Sequence, residues 1–266
     1  MTVIDRVART VRWKLDTRIH KSLYAYIARH ADDDVLFMNW AYEQDPPMAL
    51  PLDPGDEPHR YPIQLYHATA TQNGGLSGRR ILEVGCGHGG GASYLTRTFR
   101  PASYVGLDLN ATGIDFCRRR HQLPELEFVQ GNAENLPFPS ESFDAVINVE
   151  SSHLYPHFDR FLSEVTRVLR PGGTFLHTDV RQSFQCDQWE NDLNGAGMRV
   201  VSGREISTEV LRGMELNSSH WAAVWDRLTP GFLRRVGGHT PTKGGPLYQD
   251  IESGTQSYRM YCLTKD

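Results

Sequence analysis

The run from Ile81 to Gly91, Ile-Leu-Glu-Val-Gly-Cys-Gly-His-Gly-Gly-Gly, constrains the fold more than any other part of this 266-residue chain. Its apolar start reads as a buried strand, the glycines as a tight turn, and the residues from about Gly90 as the beginning of a helix. Further on, Val105, Gly106, Leu107 and Asp108 read as a second strand that ends in an acid. Gly85 and Gly87 let the backbone approach a ligand without a Cβ in the way, and the helix start points unpaired N–H groups at an anionic ligand group. Asp108 then sits where a carboxylate accepts from both hydroxyls of a ribose. This is a site for a nucleoside ligand. Gly85, Gly87 and Gly90 also satisfy the dinucleotide pattern, so the glycine spacing alone leaves a nicotinamide dinucleotide open.

The surrounding pattern alternates. Strands are expected at 80–84, 103–108, 126–130, 143–149 and 174–180, with helices at 61–73, 89–98, 111–121 and 158–169, and a last alternating strand at 257–264. Strands that alternate with helices imply an α/β fold with a doubly wound, mostly parallel sheet. Residues 182 to about 245 interrupt the alternation and read as a helical lid insertion, with capping-box spacing from Ser202 to Glu205 ahead of Ile206. Trp189, Met214, Trp221 and Trp225 within it read as core rather than as substrate contacts. The division expected is an N-terminal helical and cover segment, 1–60, followed by the α/β domain, 61–266.

Composition narrows the function classes. Net charge is −4, so no global basic field argues for a nucleic-acid partner. Cys86, Cys117, Cys186 and Cys262 lack metal-ligand spacing and read as buried thiols of a reducing compartment. No apolar run is long enough to span a bilayer and no secretory signal is evident, so a cytoplasmic protein is expected. At the N-terminus, Ile4, Val7, Val11, Leu15, Ile19, Leu23 and Tyr26 form an apolar helical stripe among arginines and lysines. Such a helix either packs on its own domain, the preferred reading, or lies on an anionic membrane at the inner face.

Glu83 decides between ligands. An acid two residues before the first glycine would repel a pyrophosphate, whereas a cationic cofactor is tolerated. The run from Glu83 through Gly85, Gly87 and Gly89 resembles the first motif of class I S-adenosylmethionine-dependent methyltransferases. The similarity continues through Gly131–Pro137, Phe143–Asn148 and Val168–Thr174. The resemblance implies a Rossmann-like seven-stranded sheet whose last strand inserts antiparallel, with S-adenosyl-L-methionine as cofactor. It assigns Gly85, Gly87 and Gly89 to the methionine side of the cofactor and Asp108 to the ribose, with Glu83 and Leu109 also among the cofactor-binding residues. Asn132 and Ala133 fall at the adenine edge, and Asn148 at the end of the fourth strand. Many members carry an acid at the position of Asn132; an amide oxygen accepts equally well. His88 is unusual inside the glycine turn and reads as a bulky lining residue.

Methyl transfer to an alcohol needs alignment and a base for the leaving proton, and histidine suits that role near neutral pH. The stretch Asn148–His157 lies just past the carboxyl end of the fourth strand, where open α/β sheets bind ligands, and His153 is the candidate base. Glu150 and His153 resemble the segment of small-molecule O-methyltransferases in which that histidine acts as base. Asp179, at the end of the fifth strand, is the candidate orienting acid. His157 and His177 read as structural. No compact acid cluster lies near His153, so no metal is expected.

Met38–Pro47, Leu65–Ala70, Gly87–Thr98 and Ser257–Tyr261 resemble the mycobacterial phthiotriol/phenolphthiotriol dimycocerosate methyltransferases and glycopeptidolipid fatty-acid O-methyltransferases. The resemblance implies methylation of a hydroxyl on a long-chain lipid or glycolipid in cell-envelope lipid biosynthesis. Trp40, Tyr42 and the proline loop would help close the site. A sugar hydroxyl of a glycosylated natural product and a sterol-type carbon acceptor remain the alternatives.

Overall fold

The structure, a computed structural model, describes residues 35–228 and 242–266. The N-terminal amphipathic stretch and the last part of the insertion therefore lie outside the described residues.

A seven-stranded sheet organises the chain in the order β3-β2-β1-β4-β5-β7-β6. The strands are β1 (Arg80–Val84), β2 (Ser103–Asp108), β3 (Leu126–Gln130), β4 (Phe143–Val149), β5 (Leu169–Gln182), β6 (Arg199–Glu205) and β7 (Gln256–Thr264). Pairings from β3 across to β5 are parallel, while β7 inserts antiparallel beside β5 and carries β6 on its outer edge. Strand order reverses between β1 and β4, which opens a crevice at their carboxyl ends.

Seven α-helices among the described residues cover the sheet. They are α1 (Arg60–Ala70), α2 (Gly90–Phe99), α3 (Ala111–Arg120), α4 (Phe158–Val168), α5 (Cys186–Asn194), α6 (Ser207–Leu228) and α7 (Pro246–Glu252). Because successive side chains of a strand face opposite ways, β1 sends Ile81 into one apolar cluster and Leu82 and Val84 into the other. The first cluster packs Ile63 and Leu65 of α1, Leu95 of α2 and Met214 of α6; the second packs Phe161 of α4 and Trp189 of α5. β4 is buried along its whole length, as expected of a central parallel strand.

Most expected strands and helices form close to their predicted bounds, but β5, expected at 174–180, runs from Leu169 to Gln182, and the insertion needs a further correction. The stretch from Ser202 to Glu205 is not a helix cap; it lies in β6, and α6 begins at Ser207. β6 is an exposed edge strand, so only one flank needs pairing and its sequence carries no apolar alternation. Trp189 and Met214 are core, as read. The expected cover is extended chain from Val35 to about Pro51, and its Phe37, Trp40 and Tyr42 are buried in the sheet's own core.

Candidate active site

A cavity of about 530 Å³ occupies the crevice where strand order reverses. Its floor is the turn after β1. Gly85 adopts φ 83°, and a Cβ there would stand 2.2 Å from Ser151 Oγ and 2.9 Å from the Tyr155 hydroxyl. The turn is tied to β2: Gly85 N–H donates to Leu107 O at 2.7 Å and Gly87 N–H to Asp108 Oδ2 at 3.0 Å. Asp108 Oδ1 accepts from Asn110 N–H at 2.9 Å. Burial raises the Asp108 carboxyl above its ordinary value, and the N–H groups of Asn110 and Gly87 partly offset this. Leu109 beside it is 70% exposed, an apolar face with no protein covering it.

Of the residues expected to touch the cofactor, Gly85, Gly87, Asp108, Leu109, Asn132 and Ala133 line this cavity together. Glu83, Gly89 and Asn148 do not. Glu83 is fully buried behind the wall, where strand alternation turns it toward α1 and its carboxyl oxygens accept from Tyr66 and Tyr104 at 2.9 and 2.8 Å. Burial raises its pKa to about 7, against the lowering by the two tyrosine hydroxyls. Gly89 caps α2 at φ 75° and faces Phe128 and His121. Asn148 donates to Val84 O at 2.8 Å and Ser151 Oγ at 2.7 Å, holding the wall from behind. Asn132 Oδ1 already accepts from Glu134 N–H at 3.0 Å within its own turn.

The roof is the extended cover chain. Leu36, Phe37, Met38 and Asn39 line the cavity, whereas Trp40 packs on Tyr258 and Tyr42 is core, so the expected closing pair sits one step behind the wall. His88 explains why this chain stays down. Its Nδ1 donates to Val35 O at 2.7 Å, Gly90 N–H reaches Leu36 O at 3.2 Å, and Trp40 N–H donates to Glu150 Oε1 at 2.7 Å. The histidine in the turn is a pin for the roof as well as part of the wall.

At the rim, His153 Nδ1 lies 2.7 Å from Asp179 Oδ1. Asp179 is fully buried and also accepts from the backbone N–H of His153 at 3.0 Å and from Ser152 Oγ at 2.6 Å. His153 stands beside the cavity wall, between wall residues Ser151 and Leu154, with 15% of its side chain exposed. Because Nδ1 faces the carboxylate, Nδ1 carries the proton and Nε2 is the basic nitrogen. The expected base is thus held by Asp179 next to the cavity wall, but it is not itself among the residues that line the cavity.

Residues 82–177 match the family described as methyltransferase domain. Over 265 residues the chain is 54% identical to the fatty-acid O-methyltransferase of Mycolicibacterium smegmatis, covering 98% of this chain and 95% of that protein. The chain belongs to the methyltransferase family. It is also 58% identical to the phthiotriol/phenolphthiotriol dimycocerosates methyltransferase of Mycobacterium leprae, covering 88% of this chain and 87% of that protein. In three dimensions it resembles the crystal structure of the cyclase SpnF, with a TM-score of 0.69 at 20% identity over 92% of this chain and 94% of that one. That last likeness speaks for the fold alone.

Several residues that sequence reading did not single out line the cavity or adjoin His153 in this class I S-adenosylmethionine-dependent methyltransferase. Tyr66, Ser151 and Tyr155 line the cavity, and Ser151 Oγ and the Tyr155 hydroxyl lie 2.9 Å apart beneath Gly85. Glu150, read only as part of a motif, is on the wall at φ 47°. Burial raises it to about 8, with Tyr258 and the Trp40 N–H lowering it. Arg181, two residues past Asp179, was signalled only by the strand period that puts both on one face.

Proposed function

We propose that the protein transfers a methyl group to a hydroxyl of a long-chain lipid or glycolipid acceptor, with His153 as general base and Asp179 as its orienting partner. The 2.7 Å contact between His153 and Asp179 beside the cavity carries this reading. The cofactor supplies a carbon already activated for displacement. Gly85 and Gly87 would leave the floor open to it, Asp108 would accept from the ribose, and Leu109 with Ala133 would lie against the adenine. The cradle fits: glycine at 85 lets the turn pack on Ser151 and Tyr155, which a Cβ would strike, and the cavity volume lies in the range of small-ligand sites. His153 Nε2 would take the proton of the acceptor hydroxyl, while Asp179 keeps the ring oriented.

The relatives' names, fatty-acid O-methyltransferase and phthiotriol/phenolphthiotriol dimycocerosates methyltransferase, support a lipid acceptor and a place in cell-envelope lipid synthesis. The His153–Asp179 pair, a histidine held by a carboxylate as a base for a hydroxyl proton requires, favours oxygen over a carbon acceptor. The basic, apolar-striped N-terminal sequence suits contact with an anionic membrane from which such an acceptor is drawn. No described helix is long and apolar enough to cross a membrane.

The test is product analysis with isotopically labelled S-adenosylmethionine, hydroxylated long-chain lipids and simple glycosides in parallel. Label in an alkali-stable ether of the lipid is expected. Label confined to the glycoside, or to a carbon centre, overturns the acceptor class.

A further inference from the structure

Arg181 is a buried cation for which methyl transfer itself has no use. It is 8% exposed, at the end of β5. Its Nη1 stands 3.0 Å from Asp179 Oδ2, and its Nη2 donates at 2.7 Å to Ser152 Oγ, which donates onward to the same carboxylate oxygen. The guanidinium is sandwiched by aromatic rings, with Cζ 4.6 Å from the Trp189 centroid and 5.3 Å from that of Phe158. Taking a charge out of water this far is costly unless a counter-charge is held in good geometry, and here the counter-charge is the carboxylate that also orients His153.

The two oxygens of Asp179 divide their work. Oδ1 faces His153 Nδ1 and accepts from Val180 N–H, while Oδ2 takes Arg181, Ser152 and the His153 N–H. Burial on its own would raise the Asp179 carboxyl; Arg181 first, then His153, hold it well below the ordinary carboxylate range. A lone buried carboxylate against an imidazole favours the imidazolium, and an imidazolium cannot accept a proton. With Arg181 on the far oxygen, carboxylate and guanidinium together carry almost no net charge toward the ring.

We propose that Arg181 is a positioning residue for His153: its guanidinium offsets the charge of the Asp179 carboxylate that orients the imidazole. The inference rests on His153 being the base. Among the described residues, the other groups around the pair do not replace this charge. His177 on β5 is lowered by burial to about 4 and is neutral, and Glu150, raised to about 8, is mostly neutral. Tyr155 is raised by burial and uncharged. From β7, Tyr258 adjoins Glu150, and Arg259, in register with Asp179, is ion-paired to Glu190 of α5.

The experiment is an NMR titration of the cofactor-free full chain carrying ring-labelled histidine, the His153 signal being assigned by its loss in His153→Gln. Arg181→Met keeps the packing between Trp189 and Phe158 while removing the charge, and Arg181→Gln stands in for it should the methionine variant fail to fold. Either is expected to move the His153 midpoint up by about one pH unit, the size of effect a neighbouring charge produces. Arg181→Lys, which keeps the charge, is expected to leave it near that of the parent. An unmoved midpoint in the neutral variant, or an equal rise in the lysine variant, overturns the inference. The acid limb of kcat, measured with hydroxylated long-chain fatty acid esters, is expected to follow the midpoint. A midpoint that rises while this limb stays put supports the charge balance and overturns the base assignment, so the two failures are told apart.

Discussion

Asp108 lines the cavity and His153 stands next to wall residue Leu154 without lining it, and the two are expected to fail differently. Asp108 is tied by Gly87 and Asn110 N–H groups on the wall, so Asp108→Ala is expected to weaken cofactor binding by roughly tenfold or more, the loss of a hydrogen bond to a charged group. Calorimetry with S-adenosylmethionine reads this, and unchanged affinity removes the ribose assignment. The acid was legible because its distance from the glycine turn is set by one strand-helix-strand unit. The wall's other side was less legible. Glu83 reads in sequence as a ligand group, yet strand alternation turns it to Tyr66 and Tyr104, partners that lie 17 and 21 residues away. Arg181 carried no motif at all; only the fold brings Trp189 and Phe158 around it.

At the level of elements, the turn after β1 and the extended roof form one mechanical unit. Gly85→Ala is expected to push Ser151 and Tyr155 out of place and to strain φ 83°, a backbone cost of about 1–3 kcal/mol, with loss of cofactor binding. A variant that melts and binds like the parent contradicts that picture of the floor. His88→Ala removes the pin on Val35 O and is expected to leave the glycine turn folded while loosening the roof. The readouts are faster hydrogen exchange in 35–40 and weaker cofactor affinity; exchange unchanged there denies the pin. The turn, β1 to β5 and β7 could be read from apolar runs and glycines. β6 could not: it is an edge strand with exposed side chains, and a bulge between Val200 and Ser202 breaks its period.

For the whole molecule, two buried acids in the cofactor-free protein set a pH dependence with a definite sign. Burial lifts Glu83 from an ordinary 4.5 to about 7 and Glu150 to about 8. The folded chain holds these protons to higher pH than the unfolded chain, so their contribution is full below about pH 4.5 and is lost as pH rises toward 8. On the acid side, His177, lowered to about 4, and Asp179, held low, contribute above their ordinary values and lose that contribution as pH falls. Glu150→Gln keeps an acceptor for Trp40 N–H and removes the titration, so its Tm is expected to fall less than that of the parent between pH 5 and about 8. Parallel Tm profiles contradict the assignment of that alkaline loss to Glu150. The central claim, that His153 takes the proton of an acceptor hydroxyl beside bound cofactor, is tested most directly by single-turnover transfer of labelled methyl to hydroxylated long-chain lipid in the parent and in His153→Ala. A rate lower by about 10²-fold at unchanged cofactor affinity is the predicted result; equal rates in the two proteins contradict it.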